Sequence, residues 1–84
     1  MILISENLLE RGKVAINIDG ILDQDTIPIV KNVCDRYLNE HRKIFLNLEG
    51  LIHISREGRN FLRGIEKRVS IGNVPEFIKL EGIS

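Results

Sequence analysis

Apolar and polar residues alternate along "KVAINID": Val14, Ile16 and Ile18 fall on one side, Lys13, Ala15, Asn17 and Asp19 on the other. The same period of two returns in "KIFLNLE", with Ile44, Leu46 and Leu48 set against Lys43, Phe45, Asn47 and Glu49. Successive side chains of a strand point to opposite faces, so each stretch predicts a strand with one buried face. Strands covered on both faces would read as continuous apolar runs instead. The opening "ILIS" predicts a strand paired with residues 13–19 through the short, glycine-containing "NLLERGK", which suits a hairpin return. "VSIGN", residues 69–73, is a weaker fourth strand.

Between the second and third strands the period changes. Ile27, Val30, Val33, Cys34, Tyr37 and Leu38 recur at helical spacing and predict a helix over residues 25–40 with one apolar stripe. Asp25 or Thr26 can cap it, and Pro28 in the first turn removes no needed backbone donor. A second helix is expected over residues 56–67, with Ser55 as its N-cap and Gly58, Phe61, Leu62 and Ile65 as its buried stripe. A short third helix is expected to open at Pro75 and to use Phe77, Ile78 and Leu80. The expected order is β-β-α-β-α-β-α: an α/β chain forming a single small domain over residues 1–84, with a four-stranded mixed sheet. Successive right-handed crossovers place the helices mainly on one face. The other face is open and carries Ala15, Phe45 and, beside them, Leu3. Scattered apolar residues on an exposed sheet are ordinary; as a patch they would serve weak homodimerisation through the open face.

Composition narrows the function. The 84 residues hold 12 basic and 12 acidic side chains, so no net field steers the chain to nucleic acid or a membrane. One cysteine excludes an internal disulfide and fits a reducing, cytoplasmic setting. The apolar start is too short for a signal peptide, and no run approaches the roughly 20 apolar residues of a spanning helix, so membrane insertion is not expected. The two histidines, His41 and His53, share no element with a Cys or carboxylate at ligand spacing, so no metal site is expected. His53 reads as a packed loop residue. Cys34 lies within an apolar stripe, as a structural thiol does. Neither a phosphate-cradling glycine motif nor a nucleophile–base pair is present, so no cofactor and no catalytic residue are expected.

The informative stretch is "LIHISREGRNFL", residues 51–62. An apolar run stops at Ser55, a charged triplet with a glycine follows, and the helical pattern begins. A helix N-terminus carries unsatisfied N–H groups and a partial positive charge, so it favours an anion. Glu57 stands there, in the first turn. Alone, that position stabilises the helix by about 0.3–1 kcal/mol. The same helix has a basic side of Arg56, Arg59, Arg63 and Lys67, with Arg68 adjacent. That side is either a solvated flank or a docking surface for an acidic partner.

"GILDQDTIP", "IFLNLEGLIHISREG" and "NVPEFIKLEGI", in this order and spacing, resemble the STAS domains, which include bacterial anti-sigma factor antagonists. The resemblance spans nearly the whole chain. It implies a non-catalytic regulatory module in signalling and transcription, with a protein partner. In typical antagonists the loop reads roughly "D-S-S-G", and its second serine is phosphorylated by an anti-sigma kinase. Laid on this chain, Ser55 stands at the Asp, Arg56 at the first Ser and Glu57 at the phosphoacceptor, while Gly58 keeps the glycine. Asp23 matches the aspartate of the family's "L-D", which lies near this loop. The usual acceptor is therefore absent. Glu57 supplies one negative charge where a phosphoserine carries about −1.5 to −2, and Ser55 is the candidate substitute phosphosite. The resemblance implies partner binding through Asp23, Ser55, Arg56, Glu57, Gly58, Arg59 and Arg63, with an anti-sigma-like kinase as partner. Two other uses within the family remain open: an accessory subunit docked on a transport ATPase, which needs no phosphoacceptor, and a weak nucleotide-binding sensor.

Overall fold

The computed structural model describes residues 1–78. Strand β1 (Ile2–Leu8) turns back through Glu10–Gly12 into β2 (Val14–Leu22). Helix α1 (Ile27–Asn39), strand β3 (Ile44–Asn47), strand β4 (Leu51–Ile54), helix α2 (Arg56–Ile65) and strand β5 (Ser70–Gly72) follow. β1 pairs antiparallel with β2, and the remaining pairings, β2 with β3, β2 with β4 and β3 with β5, are parallel. The sheet is therefore mixed, as the hairpin followed by strand–helix–strand crossovers predicts.

It holds one strand more than expected. β4 was legible only as the end of an apolar run, yet Leu51 and Ile54 continue the line of β3 along β2 after a turn at residues 48–50. The sheet is four lines wide, and its third line is broken in two. The break has a packing cause. The Gly50 carbonyl accepts from Gly20 N–H at 2.9 Å, and a Cβ on Gly50 would fall 1.5 Å from Asp19 Oδ1, so only a glycine passes beside that carboxylate.

One face of the sheet is the core. Val14, Ile16 and Ile18 of β2 and Leu46 and Leu48 beside them are fully buried, and they join Val30 and Cys34 of α1 and Leu62 of α2 in one cluster. Ile27, Val33, Tyr37 and Leu38 of the first stripe, and Phe61 and Ile65 of the second, flank that cluster as expected. A fully buried leucine such as Leu62 stabilises the fold by about 1.5–3 kcal/mol relative to exposure. At the edge, Arg36 and Tyr37 of α1 both hydrogen-bond the carboxylate of Glu6 on β1.

Element ends shift slightly from expectation. Thr26 is the residue before α1 and is buried, but its hydroxyl donates to the Ile21 carbonyl (2.9 Å) rather than accepting from the helix, and Pro28 occupies the first turn. α2 stops at Ile65, so Lys67 and Arg68 lie in the turn after it. The basic side of the helix is therefore Arg56, Arg59 and Arg63. His53 is an exposed residue of β4 rather than a packed loop residue. The expected third helix is not formed in the described part: residues 75–78 make a turn, closed by Ile78 N–H on the Pro75 carbonyl, that plugs Ile78 into the core. Leu80 and the rest of that expectation lie outside the described residues. Among the described residues no helix is long and apolar enough to cross a membrane.

Candidate functional site

Two loops meet at the end of the sheet where the parallel strands finish. The first follows β2. Asp23 Oδ1 accepts from the backbone N–H of Asp25 (3.0 Å) and Thr26 (3.1 Å). This is an aspartate turn that starts α1, and it commits one oxygen of the carboxylate to the backbone. The second loop follows β4. Ser55 N–H donates to the Leu22 carbonyl at 3.0 Å, which fastens it to the residue preceding Asp23.

Ser55 is the N-cap of α2, with extended backbone and its Oγ accepting from Gly58 N–H at 3.1 Å. That bond satisfies one of the helix's orphan donors and holds the hydroxyl against the backbone. Gly58 is buried. A Cβ there would approach the Leu22 oxygen to 2.6 Å and Ile54 Cγ1 to 2.8 Å, so the missing side chain lets α2 seat its first turn on the sheet. Arg56 and Glu57 project from that turn into solvent, and Arg63 is exposed one turn further on. Arg59 is half-buried, with its Nε closed off from solvent and without a hydrogen-bond partner among the described residues. The structure thus gathers Asp23 and residues 55–58 at one end, with Arg59 and Arg63 running away from it along α2. Of the seven, Gly58 acts through packing.

The open sheet face holds a feature that alternation could not reveal. Asn47 Nδ2 donates to Asn17 Oδ1 at 3.0 Å, and Asn73 Nδ2 donates to Asn47 Oδ1 at 3.1 Å. The amides run from β2 across β3 to the residue after β5, and Asn17 and Asn47, with Ser5, Asp19 and Glu49, border a shallow polar depression. Each Asn reads as a polar outward position; only the cross-strand register of Asn17 with Asn47 aligns them. Phe45 lies on this face as well, its ring laid over Gly72, where a Cβ would come within 2.6 Å of it.

Comparison with known proteins rests on structure alone. No family model matches the sequence, and no curated protein sequence matches it. Among solved structures, the chain is similar to the anti-sigma factor antagonist SpoIIAA in its unphosphorylated form, with a TM-score of 0.70 over 89% of this chain and 76% of that one, at 15% identity. It is also similar to a protein of the DUF3478 family with a SpoIIAA-like fold from Shewanella loihica PV-4, with a TM-score of 0.61 over 90% and 69% of the two chains, at 13% identity. The strand order, the helices on one face and these likenesses together assign the chain a STAS-like fold, that of SpoIIAA.

Proposed function

We propose that the chain is a non-catalytic interaction module of the anti-sigma-antagonist kind. It binds a regulatory protein through residues 55–58, Asp23 and the Arg59–Arg63 side of α2. One observation carries the reading: a capped helix N-terminus, anchored to the end of β2, presents the exposed carboxylate of Glu57 at its tip. In this reading Glu57 provides a permanent anion where the family's switch adds a phosphate. Arg56 and Arg63 supply charges for acidic groups on the partner. Ser55, held in the cap by Gly58 N–H, is a poor phosphoacceptor.

The same capped hydroxyl supports a second reading, an accessory subunit docked permanently on a transport ATPase, which requires no phosphoacceptor. Affinity capture from the native cell extract separates the two by what is retrieved: a sigma-factor regulator or a transport ATPase subunit. In either case the Glu57→Lys variant and the Arg59→Glu/Arg63→Glu variant should lose the partner while keeping a native circular dichroism spectrum. Undiminished capture by both variants overturns the proposed surface. Stoichiometric phosphorylation of Ser55 by a kinase from the same extract overturns the unswitched state.

A further inference from the structure

β1 is an edge strand, and among the described residues nothing pairs with its outer side. An unpaired edge is a template for another strand, and proteins usually blunt it with a proline, a bulge or a charge. β1 has none of these free. It runs seven residues in unbroken register with β2, contains no proline, and its one charged side chain, Glu6, is held by Arg36 and Tyr37 on the helix-bearing face instead of reaching past the edge. Exposed large apolar side chains gather on it and on the turn after it: Leu3 is 67% exposed, Leu8 65% and Leu9 48%.

The backbone phase of the edge is readable. Ile21 N–H donates to the Met1 carbonyl and Leu9 N–H to the Lys13 carbonyl, so the odd-numbered residues face β2. The N–H and C=O groups of Ile2, Ile4, Glu6 and Leu8 therefore point outward. An antiparallel copy of the same strand, with a two-fold axis at Ser5, sets Ile2 against the second copy's Leu8 and Ile4 against its Glu6. Every outward group is then used, forming about eight hydrogen bonds. Leu8 is covered by Ile2 of the second copy, and Leu3 lies diagonal to Leu9.

Charge favours the same arrangement. The chain has no net charge, but its charges are sorted. β2, β3 and β5 begin at one end, where Arg11, Lys13, Arg42, Lys43, Lys67 and Arg68 outnumber Glu10, Glu40 and Glu66. Toward the opposite end Asp19, Asp23, Asp25, Glu49 and Glu57 outnumber Arg56. Two copies side by side and antiparallel bring the basic end of each beside the acidic end of the other.

We propose that the chain forms a two-fold symmetric dimer by antiparallel pairing of β1 with β1 of a second copy, extending the sheet across both. The interface is isologous and closed, so association stops at two. It leaves the amino end of α2 free, so it stands or falls independently of the partner-binding reading.

Sedimentation equilibrium of the full chain tests it. The expected mass is twice the 9.6 kDa of one copy. Leu8→Lys, which places a charge on the pairing edge at an exposed position, should weaken association at least about tenfold without changing the circular dichroism spectrum. Ser5→Cys sits on the two-fold axis and should form a reversible disulfide-linked dimer under mild oxidation. Ser70→Cys, on the opposite edge strand, should not. A wild-type chain that stays monomeric up to about 0.5 mM overturns the proposal, since even a marginal interface is populated there. A dimer that survives Leu8→Lys, or that cross-links equally well through Ser70→Cys, uses another face and also overturns it.

Discussion

The backbone of Gly58 rests on the carbonyl oxygen of Leu22, so close that a Cβ at position 58 would lie 2.6 Å from it. The contact seats the first turn of α2 on the end of β2 and sets the direction in which Glu57 points. A methyl group there must push the helix off the sheet. Gly58→Ala should therefore lower stability by about 1–3 kcal/mol, as overpacking does. Gly64, on the same helix, meets nothing within 4 Å, so Gly64→Ala should raise stability by about 0.5–1 kcal/mol through helix propensity alone. Urea unfolding of the two variants should give midpoints displaced in opposite directions.

Ser55→Ala removes the acceptor for Gly58 N–H and should cost about 1 kcal/mol, whereas Ser55→Asp, which can cap in the same way, should recover most of it. Equal midpoints for the alanine variant and the wild type would mean that the hydroxyl does not hold the helix end.

His41 follows α1 with a positive φ of 59°, a conformation that costs an ordinary L-residue about 1 kcal/mol. Its N–H bonds the Leu38 carbonyl, and the next N–H, of Arg42, bonds that of Tyr37, the pattern of a left-handed helix end. His41→Gly should raise the thermal midpoint, by the equivalent of about 0.5 kcal/mol. A lower midpoint would show that the imidazole contributes more at the helix end than the backbone loses.

Burial pushes the Cys34 thiol up from 9.0 to about 11. The unfolded chain thus gives up this proton before the folded one does. The contribution is complete below pH 9 and is lost as pH rises toward 11. Native protein at pH 8 should react with a disulfide reagent only as fast as it unfolds, and addition of denaturant should expose one thiol per chain. Fast labelling of the native protein would place Cys34 outside the core.

The strands and helices that period reading recovered are those with one face on the core. Val14, Ile16 and Ile18 alternate cleanly because the helices cover only one side of the sheet. β4 escaped because its period is broken. Gly20 pairs with Leu51 and Ile21 with His53, so Ile52 is left over as a bulge, 72% exposed, and the burial order of β4 becomes in, out, out, in. Of the candidate site, the N-cap serine and the exposed glutamate were readable from local grammar, since capping is a contact between near neighbours in the chain. The fastening of Ser55 to Leu22 and the amide row from Asn17 to Asn73 were not. Both depend on which residues face each other across strands, and a single sequence does not print that register.

The broken third line of the sheet has a mechanical consequence. Among the described residues β3 is flanked by β2 and β5, whereas β4 leans on β2 alone. The tip of α2 is therefore carried on a short strand and on the end of β2, where Ser55 and Gly58 rest against Leu22. Loosening that strand frees the helix start without unpicking β3 from β5, so the presenting end can breathe at lower free energy than the slab that bears it.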